Sequence, residues 1–393
     1  NDASHAELLA ALKADAPIGA LAGMQDAADA AAVAAALDGA NAETAAAFAD
    51  VVSRFLSDTA TESTAGEGVY TIDNLDAGYY LVKDQDGSLQ GAADTATDYI
   101  VQVLGNVAMD PKDSGIPTLE KKVAEQGKGN EGKYDLDGGY GTYYNDVADW
   151  NIGDSVPFKL IASIPNNIES YDEYKFVFHD TLSNAFTLEE DSIKVFVAET
   201  TAANVEQFTP QDDDLYQVAV DGQSFTLTIP DINPLDAHGN PANYVIITYS
   251  ATLNENAEIG LPGNENTAYL EFSNNPNGDG TGRTEDDKVI VFTYELDGTK
   301  VDGETQAALQ NAQFVLLNGA KSEAAMVENG KVTGWVKVDS DAAAGDVQMP
   351  ETYEQWVARY GDQNVILTSA ADGAFNIAGL DDGTYFLREI QAP

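Results

Sequence analysis

The sequence predicts a mainly β protein, a row of immunoglobulin-like sandwich domains with an alanine-rich helical portion in the N-terminal one. Three observations carry this reading. From residue 118 to residue 293, short runs that alternate apolar and polar residues are separated by Gly, Pro, Asn and Asp turns, the pattern of half-buried strands in a sandwich. Residues 69–84, VYTIDNLDAGYYLVKD, align without a gap on residues 374–389, AFNIAGLDDGTYFLRE, so related β units stand near both ends. The length of 393 residues also exceeds what one hydrophobic core supports. These patterns give an N-terminal domain with its linker at 1–113, a middle sandwich at 114–293 and a C-terminal domain at 294–393.

Taken in order, Phe48, Val51, Val52 and Phe55 form one helical stripe, and Asn41 is placed to cap that helix. From Gly68 the period changes to two, giving a strand, a turn at Asp76, Ala77 and Gly78, and a second strand. Middle-domain strands are expected at Val156–Ile164, Tyr174–Asp180, Ser192–Val197, Ser224–Ile229, Tyr244–Leu253 and Thr267–Asn274.

Composition narrows the function. The formal net charge of -47, from 66 acids against 19 bases, argues against a nucleic-acid partner, because a phosphate backbone needs a lysine and arginine surface. There is no cysteine, so disulfides and thiolate metal sites are excluded and any covalent reinforcement needs other chemistry. No apolar run approaches the roughly 20 residues of a membrane span, so no membrane is expected in the mature form.

Three middle-domain strands each place a polar group among apolar neighbours on one face: Lys121 with Leu119 and Val123, Asp180 with Phe176 and Phe178, Asn274 with Leu270 and Phe272. Isolated burial of each would be costly, so the economical arrangement is for the three to meet. In an apolar pocket the lysine loses its proton and the aspartic acid keeps its own. The neutral amine can then attack the amide while the acid polarises its carbonyl, leaving a Lys121–Asn274 amide and releasing ammonia. A buried salt bridge with a hydrogen-bonded amide is the alternative. Lys122 alternates with Glu120 and is expected to face solvent; Asn275 precedes Pro276, and Asn266 in GNENT reads as a turn residue.

EKKV at 120–123, HDTLS at 179–183 and FSNNPN at 272–277 resemble the isopeptide-forming middle domain of sortase-assembled backbone pilins of Gram-positive bacteria. TKVDGETQAALQNAQFVLL at 299–317 and GTYFLREIQAP at 383–393 resemble the Cna B-type domain that follows it in those pilins. The resemblance implies tandem Cna B-type sandwiches and a structural, non-enzymatic subunit of a secreted, cell-wall-anchored fimbria. Its partners would be neighbouring pilin subunits and a pilin sortase. By this resemblance Asp180 catalyses the Lys121–Asn274 bond, and Lys300 and Glu389 match the lysine and acid of a second. The family's second bond ends on an asparagine beyond the EIQAP-like motif, so the C-terminal domain is expected to be incomplete here. Lys112 in DPKD, a loose match to the pilin motif, is the implied intersubunit linkage; its other reading is an ordinary solvated linker lysine. No bond is expected in the N-terminal domain: Asp84 aligns with Glu389, but only Lys13 and Lys83 are available.

The runner-up is an adhesin of the same domain type that binds host glycan or matrix protein, with its surface sought between Leu317 and Phe375, around Trp335, Trp356 and Tyr360. No organic cofactor is expected. The loop 274–287 is rich in oxygen ligands and could hold calcium through Asn277 and Asp279, although a plain turn is the simpler reading. His179 beside Asp180 should point to the opposite face and take no part in a triad.

Overall fold

The computed structural model describes residues 2–37, 41, 44, 47–48, 51–52, 54–55, 64–66, 69–72, 78–83, 98–103, 115–125, 144–168, 171–201, 205, 208–235, 242–276, 280–338, 350–361 and 364–393. It divides into two compact units: Asn1–Ile116 with Asn166–Tyr174 and Phe272–Arg283, and Pro117–Pro165 with Lys175–Glu271 and Thr284–Pro393.

The first unit opens with three helices, α1 (Asp2–Ala14), α2 (Ala16–Gly19) and α3 (Ala30–Ala36). Asp15 and Asp29 cap α2 and α3, each accepting a main-chain N–H three residues on. Leu12, Ile18, Met24, Val33 and Val51 are buried together, with Phe48, Val52 and Phe55 packed against them. The Thr44 N–H donates to Asn41 Oδ1 at 2.8 Å, the cap expected from the sequence. Four short strands follow: β1 (Thr64–Gly66), β2 (Val69–Thr71), β3 (Gly78–Lys83) and β4 (Asp98–Val103). Both strands read from the 69–84 repeat are present, but β2 pairs with β1 and β3 with β4.

The middle domain supplies β5 (Leu119–Ala124), β6 (Tyr144–Asn145), β7 (Val147–Asp149), β8 (Ser155–Ser163), β9 (Phe176–Leu182), β10 (Phe186–Ala198), β11 (Gln217–Asp221), β12 (Ser224–Ile229), β13 (Tyr244–Leu253), β14 (Asn264–Ser273), β15 (Thr281–Arg283) and β16 (Asp287–Phe292). One sheet runs β10-β13-β8-β5-β6 and the other contains β11-β12-β9-β14-β16-β7. The expected spans of β12 and β13 coincide with the observed ones, because both alternate cleanly between core and outer face. β14 begins three residues before the expected strand. Aromatic rings fill the space between the sheets: Phe158 stacks on Tyr249 at 5.2 Å, and Phe225 meets Tyr249 edge-on at 5.0 Å.

The C-terminal domain holds β17 (Tyr294–Thr299), β18 (Gln313–Leu317), β19 (Glu323–Glu328), β20 (Lys331–Lys337), α4 (Tyr353–Tyr360), β21 (Leu367–Thr368), β22 (Ala374–Leu380) and β23 (Phe386–Gln391). Its sheet runs β17-β22-β20-β19-β18-β21, with β23 also on β18. As in the N-terminal copy of the repeat, the two strands flanking the turn take different partners, β22 pairing with β17 and β23 with β18. A capping box between Thr352 and Gln355 starts α4. That helix buries Trp356 and Tyr360 against Val315, Leu317, Val338 and Ile390. These rings are core, which removes them from the adhesive surface the sequence suggested, and Trp335 packs against the neighbouring core cluster.

Candidate self-crosslinking site

Lys121 sits mid-strand in β5, paired with Leu160 of β8, and its side chain is fully buried. Asp180 comes from β9 in the opposite sheet, beside Phe225 of β12, and is equally buried. The Lys121 amine donates to Asp180 Oδ2 in a short contact and to the Tyr249 hydroxyl at 2.9 Å. The Tyr249 hydroxyl in turn donates to Asp180 Oδ2 at 2.9 Å and accepts from Asn266 Nδ2 at 2.7 Å. Amine and amide thus each lie one hydrogen bond from the same oxygen, with the acid on that oxygen too. Lys121 and Tyr249 belong to one sheet, Asp180 and Asn266 to the other. The main-chain N–H of Lys121 donates to Asp287 Oδ2 at 2.7 Å, which anchors β5 at this position.

Burial sets the protonation. It pulls the Lys121 amine below the ordinary lysine range, outweighing the attraction of Asp180, and it raises the Asp180 carboxyl despite that amine. Burial, then the neighbouring Asp180, raises the Tyr249 hydroxyl. A neutral amine beside a protonated acid is the state both shifts favour. Asp180 Oδ1 and Asn266 Oδ1 are buried without a hydrogen-bond partner. Two such orphaned acceptors are costly. A proton on Asp180 Oδ1 would turn one of these orphaned acceptors into a donor.

A different amide from the one read in the sequence meets the Tyr249 hydroxyl. Asn274 is buried beyond the end of β14, where its N–H bonds to Gly280 O at 3.1 Å. Asn266, expected in a turn, is the third residue of β14 and is fully buried. The turn role belongs to Asn264, whose amide accepts from the Glu258 N–H at 2.8 Å and donates to Glu258 O and Val291 O. Asn266 and Asn274 share a strand face by alternation, so the sequence pattern alone does not separate them.

Lys122 also departs from expectation. It points away from the cluster but is covered, donating to Glu120 Oε2 at 3.0 Å and Asp146 Oδ1 at 2.6 Å. His179 lies on the outer face, stacked on Tyr269 at 4.4 Å. In the C-terminal domain Lys300 Nζ reaches Glu389 Oε2 at 2.7 Å, and both side chains are partly exposed, unlike the buried pair. Gly373, at φ +77°, lets the chain pass Lys300, because a β-carbon there would stand 2.3 Å from Lys300 O. Lys13 lies in the last turn of α1, far in sequence from any described strand. Lys112, Asp84, Asn277 and Asp279 lie outside the described residues. Among the buried polar residues the sequence did not reveal are Tyr249 and Lys159, whose amine sits 4.0 Å from the Tyr144 ring centroid. The signal for Tyr249 was its place among the inward residues of β13, where a buried phenol must find a partner.

Comparison with known proteins bears on the same regions. Residues 152–276 match the family model of Gram-positive pilin backbone subunit 2, Cna-B-like domain, and residues 295–393 match the SpaA prealbumin-like fold domain. No curated protein sequence matches the chain. Among solved structures, the T6 backbone pilin of serotype M6 Streptococcus pyogenes is similar with a TM-score of 0.55 at 16% identity, over 90% of this chain and 68% of that one. The major pilin SpaD of Corynebacterium diphtheriae aligns with a TM-score of 0.46 at 20% identity, over 84% and 72%. The D312A form of BcpA, the major pilin subunit of Bacillus cereus, aligns with a TM-score of 0.45 at 18% identity, over 82% and 69%. Among the described residues no helix is long and apolar enough to cross a membrane. With tandem β-sandwich domains matching both family models in chain order, the chain belongs to the backbone pilins of Gram-positive bacteria.

Proposed function

We propose that this chain is the repeating subunit of a pilus shaft, that a sortase joins each copy to the next through Lys112, and that the middle domain cross-links itself between Lys121 and Asn266. The observation that carries the reading is the buried amine held against an acid and a phenol, with a primary amide on the same hydroxyl. In the step proposed, the neutral Lys121 Nζ attacks Asn266 Cγ while protonated Asp180 hydrogen-bonds Oδ1. The Cγ–Nδ2 bond breaks, one amine proton is passed to the departing nitrogen through Asp180, and ammonia leaves. Asp180 ends as it began. Tyr249 positions all three groups and keeps the pocket dry.

The bond would join β5 to β14 across the sandwich, tying the first strand of the domain to one of its last. A pull along the fibre would then load a covalent path and leave the sheet hydrogen bonds unstretched. Polymerisation is tested by expressing the full-length precursor with its sortase and boiling the surface extract in detergent. The expected result is a ladder of covalent multimers that Lys112→Ala abolishes and Asn266→Ala leaves intact. A ladder that persists in Lys112→Ala would overturn the assignment of the linking lysine.

A further inference from the structure

A second buried cluster lies where the middle domain meets the C-terminal one. Glu125 directly follows β5, Asp149 ends β7 and Asp381 directly follows β22. Their exposures are 3%, 8% and 9%, and one carboxylate oxygen from each lies within 4.8 Å of the others. Main-chain N–H groups fix the arrangement: that of Asp149 donates to Glu125 Oε2 at 2.7 Å, and that of Asp382 donates to Asp149 Oδ2 at 3.0 Å and Asp381 Oδ1 at 2.8 Å. The junction is held by further bonds, Ile152 N–H to Gly379 O at 3.0 Å and Asp381 N–H to Asn151 Oδ1 at 3.0 Å. Glu125 Oε1 is buried and has no hydrogen-bond partner. None of the three carboxylates is ion-paired with a described lysine or arginine. Asp382 and the Tyr294 and Tyr385 hydroxyls stand nearby and supply no positive charge.

We propose that Glu125, Asp149 and Asp381 bind one hard divalent cation, calcium in preference to magnesium, at the junction of the middle and C-terminal domains. Three like charges so close and so buried must be neutralised, and the choices are protons or a cation. Without a cation, protons supply the neutralisation, since burial and mutual repulsion lift both Glu125 and Asp381 to about 8; a divalent ion would displace those protons and be held by all three carboxylates at once. Carboxylate oxygens with waters make the flexible, oxygen-only shell that calcium takes; magnesium demands a stricter octahedron. The ion would clamp the strand that carries Lys121 to the next domain. This site is distinct from the 274–287 loop to which the sequence pointed for calcium, and it stands whether or not the Lys121–Asn266 bond forms.

The test uses the whole chain, stripped with EDTA and dialysed, then melted with and without calcium chloride at pH 7.5. Terbium luminescence sensitised by neighbouring aromatic residues reports occupancy. At calcium a hundredfold above its dissociation constant the expected rise in melting temperature is about 5–10 °C. Glu125→Gln should lose most of that rise and the calcium-displaceable terbium signal, yet melt no lower than wild type in EDTA, because a neutral Gln relieves the crowding of carboxylates and keeps an acceptor for the Asp149 N–H. Asp149→Asn should behave alike, and Asp279→Asn should respond to calcium as wild type does. A wild type indifferent to calcium would overturn the proposal. So would a calcium response that survives in Glu125→Gln and Asp149→Asn, which would assign it to the acidic surface or to the loop.

Discussion

Replacing Asn266 by alanine removes the proposed leaving amide while keeping Lys121, Asp180 and Tyr249 in place, so the lost stability isolates the cross-link. The bond would close the chain from residue 121 to residue 266, across both sheets of the sandwich. In the chain-entropy treatment, closing a loop of that length is worth about 5 kcal/mol. For a domain of this size each kcal/mol moves the melting temperature by about 2–4 °C, so Asn266→Ala should melt roughly 10–20 °C below wild type. Asn274→Ala is the matched control: it also deletes a buried amide, but one beyond the end of β14. It should lose only the few degrees expected for a buried polar truncation and still release ammonia. Differential scanning calorimetry with intact-mass readings on both variants decides the matter. A large drop in Asn274→Ala with none in Asn266→Ala would refute the argument from the Tyr249 hydroxyl and restore the pairing first read from the sequence.

Asp180→Ala should fold with the amine and amide both unreacted, because the carbonyl loses its only acid; mass and trypsin resistance check this. Tyr249→Phe keeps the ring packing on Phe158 and Phe225 but leaves Lys121 and Asn266 without their shared partner. It should slow cross-linking by about 10–100-fold without blocking it, corresponding to a lost buried hydrogen bond, as followed by mass during refolding. In EDTA, stability should fall as pH rises. Glu125 and Asp381 are raised to about 8 in the fold, so between their ordinary range and about pH 8 the folded chain holds more protons than the unfolded one. Their contribution is therefore whole below pH ~4 and lost by pH ~8. Denaturant titrations at pH 5, 6.5 and 8 check this; a curve that rises with pH would contradict it.

The sandwich was legible because its strands alternate strictly, and that alternation also put Lys121 and Asp180 on inward faces. It failed at Asn266 because GNENT carries turn residues throughout, and only the tertiary bonds of Asn264 show where the turn stops and the strand starts. Lys122 was misjudged for a related reason: alternation gives the face of a strand, not what covers it, and here the segment carrying Asp146 does. The carboxylates of Glu125, Asp149 and Asp381 come from three separate stretches, and no spacing rule brings them together. Trp356 entered the search for an adhesive surface because its partners, Val315 and Ile390, lie on strands distant in sequence.

The most direct measurement is the mass of the denatured chain, followed by a digest searched for a branched peptide. The expected result is a mass one ammonia below that of the sequence, with a peptide joining the segment containing Lys121 to the segment containing Asn266. A folded protein of full unmodified mass would contradict it and leave Lys121, Asp180, Tyr249 and Asn266 as a buried polar cluster without a bond.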